Sequence, residues 1–186
     1  MSRSSLMQSY LETPMGRMLA LAEDRGLVLL EFTDRPALPR ELAELQQRYG
    51  YRISHGPHPH IAQAQLELRK YFSGDLQRFD VPLHLPAQPF DLQVWQQLLS
   101  VPYGETRSYG ELAAALGKPG ACRAVGAANG RNRIAILIPC HRVIGADGHL
   151  TGYGGGQHRK RFLLRLEGHN VSADNRVEVQ QAQLFS

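Results

Sequence analysis

Cysteine is scarce in this 186-residue chain: Cys122 and Cys140 are the only two, too few for a disulfide framework. Trp95 is the single tryptophan, so no row of indoles offers a stacking platform, and its place after Val94 in an apolar pattern predicts a core residue. Nowhere do eighteen or so uncharged apolar residues follow one another, which argues against a membrane-spanning helix. The opening MSRSSLMQSYLETPMG has no apolar run of signal-peptide length, so a cytoplasmic location with both thiols reduced is expected. The histidines of HGPHPH (His55, His58, His60) are separated by prolines and have no cysteine partner before Cys122; a solvated loop is predicted, and no metal. Internal repeats and low-complexity tracts are also missing, which excludes solenoid architectures.

What is present begins with an uneven charge. Residues 1–88 hold ten basic and ten acidic side chains, whereas residues 89–168 hold ten basic and five acidic. Such a local surplus suits either a polyanion surface or a merely solvated face.

The first half alternates in short apolar runs, SYLETPMG, RMLALAED and LVLLEFTD, broken by turn residues such as Arg25-Gly26; this predicts a small antiparallel sheet. RPALPRELAELQQRYG and IAQAQLELRKYFSGDL read as two helices ending near glycine. The proline-rich DVPLHLPAQPFD then predicts an extended boundary, dividing a domain at 1–86 from one at 87–170, with a loosely held tail over 171–186. In the second half Phe90, Val94 and Leu98 recur with helical spacing. SYGELAAALG, capped by Ser108 and closed by Gly117, and CRAVGAANGRN are two short helices around Lys118-Pro119-Gly120. This pattern fits a helix-turn-helix or an ordinary helical hairpin. The small residues Ala121, Ala124, Gly126, Ala127 and Ala128 suit close approach by a groove or by a neighbouring backbone. The fold class expected is therefore α+β: an N-terminal α/β domain with a small antiparallel sheet, then a mainly helical domain with a helix-turn-helix.

The chemistry concentrates in ILIPCHRVI. Ile136, Leu137 and Ile138 predict the end of a buried strand, and Pro139 predicts a turn that opens on Cys140. A thiol becomes a strong nucleophile only as thiolate, so an adjacent base is informative. His141 is that candidate, acting through a water, with Glu167 as the carboxylate behind it. Arg142 reads as an ion-pair partner, because a guanidinium is no base near neutrality. Cys122 reads as a small packed residue. The closing helix QHRKRFLLRLEG is expected to turn Phe162, Leu163 and Leu166 inward, and the glycines 154–156 leave main chain open to a ligand.

SYGELA, CRAVGAANGRN, PCHRVIG and GYGGG, in this order over roughly residues 90–168, resemble the O6-alkylguanine-DNA alkyltransferases. The resemblance implies irreversible, single-turnover transfer of an alkyl group from O6-alkylguanine or O4-alkylthymine in DNA to Cys140. It implies His141 as base through water, Glu167 holding His141, and Asn132 bracing the turn. Tyr109 and Arg123 would contact DNA, Arg123 filling the gap left by a flipped nucleotide in a minor-groove complex. Tyr109, Val143, Tyr153 and Gly154 would line the substrate pocket, a glycine at 154 making it roomier. No cofactor is implied, and the partner is double-stranded DNA carrying alkylated bases. The resemblance implies no membrane association and a monomer in solution, and it leaves cooperative assembly on DNA open.

Overall fold

A computed structural model describes residues 4–178. Its N-terminal half is a four-stranded sheet in the order β3-β2-β1-β4. β1 (Ser5–Thr13), β2 (Gly16–Glu23) and β3 (Gly26–Phe32) form the expected antiparallel meander. β4 (Arg52–His55), too short and polar for the alternation to reveal, adds in parallel to β1. The crossover to β4 carries α1 (Leu38–Gln47), and α2 (Pro59–Phe72) follows.

Period-two alternation divides the sheet's side chains between two faces. Met18, Ala20 and Ala22 meet Ile61, Ala64, Leu68 and Tyr71 of α2. Leu19 and Leu21 meet Leu38 and Leu45 of α1. Covered on both faces, β3 is buried along its whole length.

The second half contains α3 (Pro89–Leu99), β5 (Arg107–Ser108), α4 (Tyr109–Ala115), α5 (Cys122–Gly130), β6 (Val143–Ile144) and α6 (Gln157–Leu166). Ser108 caps α4 reciprocally: its hydroxyl accepts from the Glu111 amide at 3.1 Å, and its own amide donates to the Glu111 carboxylate at 2.6 Å. Gly117, at φ +69°, ends that helix in the left-handed conformation that favours glycine. Trp95 is buried as expected and donates to the Ala128 carbonyl at 2.9 Å, tying α3 to α5.

The free edge of β3 joins the two halves. The Leu27 amide donates to Pro82 O at 2.8 Å and the Leu30 amide to Arg133 O at 2.9 Å, while Ala135 N returns a bond to Leu30 O at 2.8 Å. One apolar core runs across this seam, from Leu30 and Tyr71 to Leu98, Ile138 and Cys140.

Four local expectations are corrected. Residues 136–138 are buried but form no strand: Ile136 has φ +72°, a costly conformation for a β-branched residue that breaks any ladder there. Cys122 is exposed rather than packed, because α5 turns Val125, Ala128 and Asn129 to the core. Phe162 is 43% exposed, and α6 buries Arg159, Lys160, Leu163 and Leu164 instead. The tail is not loosely held as far as residue 178: Val171 pairs with Val177, and both pack against Ile144, Leu150 and Leu164. Residues 179–186 of that tail lie outside the described residues.

Candidate active site and nucleic-acid interface

Beyond its single bridge to Leu30 of β3, the loop leading to Cys140 continues no ladder, and one side chain satisfies part of its buried backbone. Asn132, 1% exposed, accepts from the Ile134 amide at 3.0 Å and donates to the carbonyls of Ile134 (3.3 Å) and Ile138 (2.9 Å). An amide side chain matches backbone in both donor and acceptor, so it stands in for the missing strand partner. Pro139 then starts a short 3-10 turn over Cys140–Arg142 that aims three consecutive side chains inward.

Cys140 is 7% exposed, and burial pushes its thiol up to about 11; a hydrogen bond from Asn132 and the positive charges of Lys160 and Arg35 oppose this, while Glu31 adds to it. The resting thiol is therefore protonated, and only with a base to take its proton could it serve as a nucleophile.

His141 is fully buried. Its Nε2 lies 2.8 Å from Glu167 Oε1, whereas its Nδ1 is buried without a hydrogen-bond partner. Arg142 grips the same carboxylate from the other side, through Nε to Oε2 and Nη2 to Oε1, both at 2.9 Å. Its Nη1 donates to Val101 O at 2.6 Å, so Arg142 is the ion-pair partner the sequence suggested. Burial raises the Glu167 carboxyl, but His141 and Arg142 more than offset it and hold the group anionic. Burial lowers the His141 imidazole, which outweighs the pull of Glu167 and keeps the ring neutral. An anionic acceptor on Nε2 requires the ring proton there, which leaves Nδ1 a lone pair.

Around this centre stand the other expected residues. Tyr109 opens α4, half-buried, with its hydroxyl 2.6 Å from Thr151 Oγ1. The Tyr153 hydroxyl is buried and has no partner. Val143 is fully buried and pairs with Arg107 in the two-stranded β5–β6 sheet. Arg123 is exposed in the first turn of α5. Gly154 differs from its expectation: a Cβ there would lie 2.7 Å from the Arg35 guanidinium carbon, so the missing side chain seats Arg35 rather than enlarging a pocket.

Three residues near the site escaped the sequence. Lys160, fully buried on α6, donates to the carbonyls of Val143 and Thr151 and clasps the two segments that flank the thiol. Burial pushes its ammonium down to about 8. Its spacing from Leu163 and Leu164, three and four residues on, places it on their stripe, the one signal that it faces inward. Arg35 and Tyr71 come from the sheet half, and nothing local separates them from a surface charge and a core aromatic.

Two family models cover almost all of this chain. Residues 89–169 match the 6-O-methylguanine DNA methyltransferase DNA binding domain, and residues 6–85 match the ribonuclease-like domain of the same methyltransferases. The chain belongs to the 6-O-methylguanine DNA methyltransferase family. The activity of that family is direct repair of alkylated DNA by methyl transfer to a protein cysteine. The methylated-DNA–protein-cysteine methyltransferase of Mycobacterium leprae is 45% identical over 161 residues, 87% of this chain and 92% of that protein. The Mycobacterium tuberculosis protein of the same name is 61% identical over 108 residues, a match spanning 58% of this chain and 66% of that protein. The crystal structure of Mycobacterium tuberculosis O6-methylguanine methyltransferase superposes with a TM-score of 0.74 at 41% identity, covering 97% of this chain and 99% of that one. That of the Mycobacterium tuberculosis protein in complex with DNA superposes with a TM-score of 0.73 at 44% identity, covering 88% and 92%. The family's α+β architecture, a sheet half followed by a mainly helical half, is the one seen here. Among the described residues no helix is long and apolar enough to cross a membrane.

Proposed function

We propose that Cys140 is the alkyl acceptor, taking the group from O6-alkylguanine or O4-alkylthymine in double-stranded DNA in a single irreversible turnover. The observation that carries this reading is the buried run of Cys140, His141 and Glu167, with the imidazole proton held on Nε2 and Nδ1 left bare. The thiol proton passes through a water to Nδ1, and Glu167 balances the imidazolium that results. Sulfur attacks the saturated carbon, a carbon–sulfur bond forms, and the carbon–oxygen bond breaks with its electron pair on the base. The thioether has no activated leaving group, so the thiol is not regenerated. The departing base takes up a proton, for which the Tyr109 hydroxyl is the donor, and the main-chain amide of Gly154 stabilises its oxygen.

Reaction at a base edge inside a stacked duplex is sterically closed, so the damaged nucleotide turns out of the helix at a cost of a few kcal/mol. Arg123, exposed at the start of α5, fills the vacated stack from the minor groove, and the small residues of that helix admit the DNA backbone. Tyr153 and Val143 wall the pocket. The basic surplus of this half supplies phosphate contacts that weaken with salt. Two free cysteines suit a reducing cytoplasm. The chain acts as a monomer without a cofactor.

The test is adduct mapping. After incubation with duplex DNA containing O6-methylguanine, mass spectrometry should find one methyl group on Cys140 per protein molecule; an unmodified Cys140, or repeated turnover, refutes the assignment.

A further inference from the structure

We infer that Tyr71, carried by α2 of the sheet half, is a positioning residue of the alkyl-transfer centre, its hydroxyl fixing the Glu167 carboxylate and thereby the ring proton of His141. The inference rests on the reading of Cys140 as acceptor. Tyr71 is fully buried, and its hydroxyl donates to Glu167 Oε1 at 2.6 Å across 96 residues of sequence. That oxygen is the one facing His141 Nε2 at 2.8 Å and Arg142 Nη2 at 2.9 Å. The phenol sits beside an anion in an apolar surround, and burial, with Glu167 next to it, drives its ionisation far above the usual range; it acts only as a donor.

The ring is held independently of the hydroxyl. Phe72 and Tyr103 meet it edge-on at centroid distances of 5.4 and 6.1 Å, and Phe79 lies at 5.2 Å. A phenylalanine would fill this aromatic nest equally well, so packing alone does not call for the oxygen, and its one hydrogen bond goes to Glu167. Arg142 clamps both carboxylate oxygens, and Tyr71 joins it and His141 as a third donor on Oε1, so that this oxygen is fully engaged. With Oε1 so occupied, the carboxylate has no room to carry the proton itself. It stays with His141 Nε2, and Nδ1 stays free to accept. The sheet half therefore supplies part of the transfer machinery as well as packing.

The charged and titratable groups facing this pair are Arg142 from the 3-10 turn, Lys160 from α6, Tyr103 after α3 and His169 after α6. None of them changes in a Tyr71→Phe protein. Single-turnover alkyl transfer from free O6-benzylguanine, which needs no base flipping, is measured against pH for the wild type and for Y71F. Losing one donor leaves the Glu167 charge less satisfied, so it holds the imidazolium more tightly. The acid limb of the profile should move to higher pH by about one unit, so that the rate on that limb falls about tenfold while the plateau above it is kept, as expected for one hydrogen bond to a charged group. Site-specific 3-fluorotyrosine at position 71 keeps the ring and sharpens the donor; it should restore the rate and move the limb below its wild-type position. Profiles that superimpose, or a rate loss that is equal at every pH and indifferent to the restored hydroxyl, overturn the inference. Should the wild type itself leave Cys140 unalkylated, the acceptor reading fails; should it react normally while Y71F matches it, only Tyr71 loses its role.

Discussion

The guanidinium of Arg35 donates to the backbone carbonyl of Asn132 at 2.9 Å, so a residue of the sheet half holds the residue that braces the cysteine loop. A second nitrogen of Arg35 donates to Gly130 O at 2.6 Å, where α5 ends. Helix α5 and the Cys140 loop are thus pinned to the sheet through one buried side chain, whose charge is balanced by Glu31 and Glu41.

That balance is testable by a double-mutant cycle. Arg35→Met leaves two buried carboxyls without their cation and should cost about 3–5 kcal/mol in urea denaturation. Adding Glu31→Gln to it should recover part of the loss, because the pair is coupled. Additive losses would mean that the two charges do not depend on each other.

Arg123 should matter only when a nucleotide must leave the stack. Arg123→Ala is expected to slow alkyl transfer from duplex DNA by about 10–100-fold, the equivalent of a few kcal/mol of flipping cost, while sparing reaction with free O6-benzylguanine. Parallel single-turnover measurements on the two substrates decide it, and equal losses would remove Arg123 from this role.

Lys160 sets a dependence of stability on alkaline pH. Its ammonium is pushed down from 10.5 to about 8 in the folded chain, so between these values the unfolded chain holds the extra proton. This group's contribution to stability is flat below pH 8 and rises through that window by roughly 2–4 kcal/mol. The difference in unfolding free energy between wild type and Lys160→Met, followed from pH 7 to 11, should show that rise; a flat difference would contradict it.

Much of the site was legible because its residues are neighbours or lie at fixed spacing. Pro139, Cys140, His141 and Arg142 are consecutive, and the Ser108 cap with Glu111 is local chemistry written into four residues. The hairpins were legible for the same reason. Periodicity, however, records that a segment is amphipathic and not which neighbour covers it. Phe162 read as inward from its place in the apolar pattern of the closing helix, yet it meets only the Phe72 ring of α2, at 6.3 Å between centroids, and stays 43% exposed. The run before Pro139 read as a strand because apolar branched residues favour one, but the Asn132 side chain took the place of a partner strand and Ile136 turned left-handed. Gly154 read as pocket space until Arg35, 119 residues earlier in the chain, proved to fill it.

By itself the sequence determined the order of the elements and the two-part plan and singled out Cys140, His141 and Arg142 as a candidate cluster, since each of these is encoded by residues close together along the chain. Only the tertiary structure decided that His141 holds a bare Nδ1, and that Tyr71, Arg35 and Lys160 belong to the same centre. Burial and hydrogen-bond geometry are properties of groups brought together across tens of residues. Protonation and tautomer follow from that gathering, and no local pattern contains them.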